Sequence, residues 1–209
     1  MISQLQRAVQ CIRANGCLVY PTETVYGLGA KALSEAAAGR IARIKSRQAG
    51  KPFPVIIGSL EQLSAVTAWQ DETFFSLARM FWPGPLSILV PARREISALA
   101  QDSEGWTSLR VSSHPIARRL CLESGLPLLA TSANQSGCEP AARPEDLDPV
   151  VLEKVDCFVP GPPYPPGGLP STVVRICGTA ALSVLRRGAL ALSELEKAGF
   201  RVQRGSSRL

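Results

Sequence analysis

Nine polar side chains follow apolar runs or close helix-like stretches: Thr22, Thr24, Lys45, Arg47, Arg110, Ser132, Asn134, Ser171 and Arg186. They are cations, hydroxyls and one amide, with little that could act as a general base near neutral pH. Such a set suits binding of phosphates and a carboxylate better than hydrolysis by an activated nucleophile. His114 is the only histidine, so there is no second imidazole for a metal, and no spaced Ser/His/Asp arrangement is identified. Directly before Pro115, it reads as a turn or helix-entry residue. There is no G-x-x-x-x-G-K-[ST] and no G-x-G-x-x-G, so neither common nucleotide-binding signature applies. Lys45 and Arg47 have a plainer reading as cations at a helix C-terminus, each stabilising by about 0.3–1 kcal/mol.

The elements that position these groups centre on Val19 to Ala30, Val-Tyr-Pro-Thr-Glu-Thr-Val-Tyr-Gly-Leu-Gly-Ala. The apolar run Cys17 to Tyr20 predicts a buried strand that stops at Pro21, which cannot donate to a ladder. Thr22, Glu23 and Thr24 then fall at the strand end, and Gly27 and Gly29 permit close backbone approach. Upstream, Leu5, Ala8, Val9 and Ile12 have helical spacing, with Ser3 as cap and Asn15-Gly16 as stop. A second helix opens at Ser34-Glu35 and runs into Lys45-Ser46-Arg47.

Further strands are expected at Phe53 to Ile57, Leu86 to Val90, Ser108 to Val111, Leu126 to Ala130, Cys157 to Val159, Ser171 to Ile176 and Leu182 to Leu185. Ser59 with Gln62 predicts a capping box for a short helix, and Asp71 caps another helix carrying Phe74, Ala78 and Phe81. Further helices are expected over residues 115–123, 146–155 and 193–198. Residues 161–170 hold five prolines and three glycines, which suits a flap beside a site better than a domain linker. The basic tail 201–209 is expected to be disordered. No repeat or composition shift splits the chain, so residues 1–200 read as one α/β domain with a mixed sheet flanked by helices.

With 45% hydrophobic and 19% charged residues among 209, the chain can bury a proper core. No apolar run approaches the roughly 20 residues of a membrane span, and the N-terminus lacks the apolar block of a signal peptide. Six cysteines without a Cys-x-x-Cys pair read as thiols in a reducing compartment. A cytoplasmic protein is expected. The net charge of +6 admits anionic partners without choosing between nucleotide and RNA.

Six motifs together go further: Tyr20 to Ala30, Lys45-x-Arg47, Trp82-Pro-Gly-Pro85, Arg110-Val111 with His114-Pro115, Ser132-Ala-Asn134, and Ser171-Thr-Val-Val174. In order and spacing, from about residue 5 to 198, they resemble the YrdC/TsaC family. The resemblance implies a twisted mixed sheet with a large positive concave groove, the YrdC/RibB-like fold. It implies an enzyme making threonylcarbamoyl-adenylate and pyrophosphate from L-threonine, bicarbonate and ATP. A partner complex then moves the threonylcarbamoyl group to an adenosine beside the anticodon of tRNA. By resemblance, Thr22, Arg110 and Ser171 would surround threonine and its carbamate, and Lys45, Ser132, Asn134 and Arg186 would lie along the nucleotide. Arg47 would bridge carboxylate and phosphates, making Lys45 and Arg47 the catalytic pair. Magnesium on the triphosphate is implied, with no all-protein metal cage. Two departures stand out: Gln48 replaces a frequent proline after Lys-x-Arg, and the expected form is the short, single-domain one rather than the branch with an extra C-terminal domain.

Two other readings carry their own tests. An RNA-binding or ribosome-maturation protein would need exposed, interleaved aromatics, and the twelve Phe, Trp and Tyr residues mostly fall at core spacing or in turns. A carbamoyl-adenylate enzyme for another amino acid or acceptor would differ in pocket contacts, where one methyl group discriminates by only about 1–3 kcal/mol.

Overall fold

The computed structural model describes residues 3–47 and 50–204. Gln48 and the end of the tail, 205–209, lie outside the described residues. Helix α1 (Gln4–Arg13) starts with a full capping box, in which Ser3 and Gln6 exchange backbone and side-chain bonds. It stops at Asn15, whose φ is 60°. Strand β1 (Leu18–Pro21) and strand β2 (Tyr26–Gly29) form an antiparallel hairpin. Here the expectation is corrected: Pro21 is the last paired residue of β1 and faces Tyr26, and the glycine stretch is itself a strand. Gly29 is required by packing, since a Cβ there would lie 2.7 Å from the Tyr20 ring and run into the Leu129 carbonyl.

Helix α2 (Glu35–Ile44), capped by Ser34, leads through β3 (Val55–Ile57) to α3 (Glu72–Phe81), capped by Asp71. Between β3 and α3, residues 60–65 form a 3-10 turn without the expected capping box. The Gln62 amide oxygen accepts from the Gly58 N–H at 2.7 Å instead. Strands β4 (Leu86–Pro91) and β5 (Trp106–Val111) precede α4 (Pro115–Ser124), then β6 (Leu128–Leu129) and β7 (Thr131–Ser132). Helix α5 (Pro149–Lys154), β8 (Cys157–Phe158), β9 (Thr172–Gly178), β10 (Ala181–Arg186), α6 (Leu192–Lys197) and β11 (Arg201–Arg204) complete the chain.

The strands form two mixed sheets rather than one. The smaller has the order β7-β2-β1-β8 and the larger β11-β10-β9-β4-β5-β3-β6. Residues 201–204, expected in a disordered tail, instead pair in parallel with β10 at the edge of the larger sheet. Val202, packed against the core, anchors that strand. Its alternation with polar neighbours is the period-2 pattern of a half-buried strand.

Alternation along β1 divides the core. Cys17 and Val19 point into the main core with α2 and the larger sheet, while Leu18 and Tyr20 join α1 and α4 in a second cluster. Both faces of this strand are therefore covered, which is why it reads as a continuous apolar run. Among the described residues, no helix is long and apolar enough to cross a membrane.

Candidate active site

A cavity of about 390 Å³ opens between the β1–β2 turn, the end of α2, the loop after β6, and one face of the larger sheet. The period of β5 builds that face. Trp106, Ser108 and Arg110 line the cavity, while Thr107, Leu109 and Val111 are buried on the opposite side. The Arg110 Nε donates to Glu23 Oε1 at 2.7 Å, and the two side chains are only 6% and 8% exposed. Ser112 Oγ donates to the other Glu23 oxygen through a short hydrogen bond. Burial pushes the Glu23 carboxyl up, but Arg110 and Ser112 outweigh it and hold the group below its ordinary range. Among the described residues, the Arg110 terminal amines have no hydrogen-bond partner.

Ser171 sits just before β9, where Arg186 of β10 grips it. Arg186 Nε and Nη2 donate to the Ser171 carbonyl at 3.1 and 2.9 Å, and Nη2 reaches its hydroxyl at 3.1 Å. Ser87 of β4 shares a 2.9 Å hydrogen bond with the same hydroxyl. Gly188 lets this turn close, since a Cβ there would collide with the Pro170 carbonyl. Burial, then the charge of Arg110, depresses the Arg186 pKa. Two guanidinium groups are thus held close enough to repel, an arrangement that an anion between them relieves.

Arg47 follows α2. Its Nε and Nη2 donate to the Lys51 and Pro52 carbonyls at 2.9 and 3.1 Å, and its guanidinium stacks 4.6 Å from the Phe53 ring centroid. Lys45 is the C-cap of α2 and only 3% exposed. Its Nζ donates to the Ser132 carbonyl at 2.6 Å and the Asn134 carbonyl at 2.5 Å. Burial, then Arg47, brings the Lys45 ammonium down to about 8. The Asn134 amide nitrogen donates in turn to the Gln135 and Cys138 carbonyls at 2.9 and 2.5 Å.

Of the eight residues assigned to the site from sequence, Thr22, Arg47, Arg110, Ser132, Ser171 and Arg186 line the cavity. Lys45 and Asn134 stand behind that lining, where Lys45 holds the loop that presents Ser132. Thr22 Oγ1 donates to the Val25 carbonyl at 2.6 Å and thereby shapes the β1–β2 turn. Sequence reasoning missed the partnership of Glu23 with Arg110, although a carboxylate between two threonines at a strand end was its signal. Lys51 and Asp102, neither of them assigned to the site from sequence, also line the cavity. His114 does cap α4, its Nδ1 accepting from the Ile116 N–H at 3.3 Å.

Residues 161–170 strap across one side of this cavity, with Gly168 and Pro170 in its wall. The strap is tied down: His114 Nε2 meets the Pro163 carbonyl at 2.9 Å, Arg143 the Pro165 carbonyl at 3.1 Å, and the Gly167 N–H the Thr24 carbonyl at 2.9 Å.

An arginine-lined cavity beside the larger sheet of a mixed α/β protein is chemically suited to a small anionic molecule. Residues 10–188 match the Sua5/YciO/YrdC family model, whose description reads "Telomere recombination", and the chain belongs to this family. It is 34% identical over 194 residues to the threonylcarbamoyl-AMP synthase of Pyrococcus abyssi, covering 93% of this chain and 56% of the relative. The threonylcarbamoyl-AMP synthase of Coxiella burnetii is 36% identical over 157 residues, 74% of this chain and 83% of the relative. A crystal structure of P. abyssi Sua5 complexed with L-threonine superposes with a TM-score of 0.83 at 34% identity, covering 95% of this chain and 58% of that one. The chain thus spans little more than half the length of the P. abyssi protein and most of the C. burnetii one.

Proposed function

We propose that the protein is an L-threonylcarbamoyladenylate synthase, joining L-threonine, bicarbonate and ATP into threonylcarbamoyl-AMP and pyrophosphate. The observation that carries this reading is the convergence of Arg47, Arg110 and Arg186 with Thr22, Ser132 and Ser171 on one cavity. A triphosphate and an amino-acid carboxylate need that density of cations and hydroxyls. The carboxylate meets Arg110, and the phosphates run along Arg47, Lys51, Ser132 and Arg186.

Once the threonine amine has captured carbon dioxide and lost a proton to solvent, a carbamate oxygen is already a nucleophile. It attacks the α-phosphorus, the bond from that phosphorus to the β-phosphate bridging oxygen breaks, and pyrophosphate leaves. The protein then contributes positioning and charge stabilisation rather than proton transfer. That division fits a cavity lined by arginines and without a histidine. Among the described residues no group of three or more His, Cys, Asp or Glu side chains could hold a metal. Asp102 is the one carboxylate in the lining. Magnesium would enter with ATP and screen the phosphate charge, with Asp102 the lining carboxylate available to it.

In this reading the product passes to a complex that modifies tRNA, and the six free cysteines suit a reducing, cytoplasmic compartment. An omission series tests the proposal: pyrophosphate release should require ATP, bicarbonate and threonine together. Release that persists without threonine or without bicarbonate would refute it. RNA binding with a steep salt dependence and no response to ATP or threonine would favour the RNA-binding reading instead.

A further inference from the structure

Among the described residues, Glu23–Arg110 is the one buried ion pair; its arginine lines the cavity, its carboxylate lies behind, and it joins the two sheets. Glu23 belongs to the β1–β2 turn of the smaller sheet and Arg110 to β5 of the larger. Three contacts fix its geometry. Arg110 presents only Nε to Glu23 Oε1. Ser112 Oγ occupies the second carboxylate oxygen, so Glu23 cannot turn to take Arg110 side-on with both oxygens. The Ser112 oxygen accepts from the His114 N–H at 3.2 Å, while its own hydrogen goes to the Glu23 carboxylate, which can only accept.

We propose that Glu23 is a positioning residue for the amino-acid substrate. It holds Arg110 by Nε so that the Nη1–Nη2 edge faces the cavity and receives the substrate carboxylate in a two-point pair. The inference rests on the synthase reading for the identity of that substrate. A guanidinium recognises a carboxylate best through two parallel N–H donors. With Nε engaged, the edge formed by the two terminal nitrogens is the remaining fork. An anion behind the arginine also offsets the repulsion from Arg186, so the guanidinium stays in place before substrate arrives. Pre-organisation of this kind affects threonine binding and leaves the nucleotide contacts alone.

The test compares wild type, Glu23→Gln, Glu23→Asp and Ser112→Ala by steady-state kinetics in threonine and in ATP, with thermal melting of each. Glu23→Gln keeps the size but loses the charge and replaces one of the two accepting oxygens by a donating amide nitrogen. It is expected to raise the threonine KM at least about tenfold, with the ATP KM within about twofold of wild type. Glu23→Asp should recover part of that loss. Ser112→Ala frees one carboxylate oxygen and should raise the threonine KM a few-fold, and it decides the matter if Glu23→Gln fails to fold. An unchanged or lowered threonine KM in a folded variant would overturn the inference, as would equal rises for threonine and ATP. A lower melting temperature with unchanged kinetic constants would reduce the pair to a structural tie. A wild-type protein that consumes no threonine would refute the synthase reading, and this inference would fall with it.

Discussion

Lys45 differs from an ordinary cation at a helix end because its ammonium is buried against two carbonyls of another loop. Solvated helix-end cations contribute about 0.3–1 kcal/mol to stability. Removing Lys45 instead leaves the Ser132 and Asn134 carbonyls without this donor, at about 1–3 kcal/mol for a buried polar group. Lys45→Ala should therefore lower the melting temperature and loosen the loop bearing Ser132. Arg47→Ala should leave the melting temperature nearly unchanged, because Arg47 is only half-buried. Both should reduce pyrophosphate release by roughly 30- to 1,000-fold, or about 2–4 kcal/mol of transition-state stabilisation. Near-normal turnover in either would return it to a structural role. The pH dependence separates them further. The Lys45 proton leaves near pH 8 in the folded protein, against an ordinary value of 10.5. Burying the charge thus costs stability below pH 8, and this penalty is relieved as pH rises from 8 to 10.5. ATP affinity should fall in the wild type as pH rises through 8, and Lys45→Ala should lack that step. A flat wild-type profile would contradict a charged role for Lys45.

At the scale of elements, the strap over residues 161–170 and helix α4 share His114. Its Nδ1 accepts from Ile116, so Nε2 carries the proton toward the Pro163 carbonyl, and the ring is neutral. Burial lowers its pKa, against the opposing pull of the Pro163 carbonyl and Glu23. Because the folded pKa lies below 6.5, the stability contribution is present above pH 6.5 and is lost as pH falls further. His114→Ala should remove that acid-side loss, cost about 1 kcal/mol through the missing cap, and increase proteolytic cutting within 161–170. Equal cutting in variant and wild type would show that His114 does not hold the strap. Helix caps at Ser3, Ser34, Asp71 and His114 were legible because a cap depends on neighbouring residues. Strand β2 was not, since Gly27 and Gly29 have poor strand propensity, and Gly29 is there to admit Tyr20 and the Leu129 carbonyl. The Ser59–Gln62 box failed for a related reason: Gln62 found a better partner in Gly58, in the turn before the helix.

For the whole molecule, the alternation of strands and helices indicated a mixed α/β domain, but not that the strands divide into two sheets. Sheet membership depends on pairings such as β1 with β8 and β4 with β9, which join residues far apart in the chain. Edge strand β11 was hidden by its arginines, which read as a solvated tail until the free edge of β10 is considered. Six site residues converge on the cavity from strand ends, from within β5 and from the end of α2. The pairing of Glu23 with Arg110 was not legible because the two lie 87 residues apart. The central claim concerns what forms in that cavity. It is tested most directly by incubating the protein with ATP, threonine and carbon-13-labelled bicarbonate and taking the mass spectrum of the nucleotide product. The expected product is an adenylate bearing both threonine and one labelled carbon, with one pyrophosphate released for each. An adenylate of threonine without the labelled carbon, or ATP left intact by active, folded protein, would contradict it.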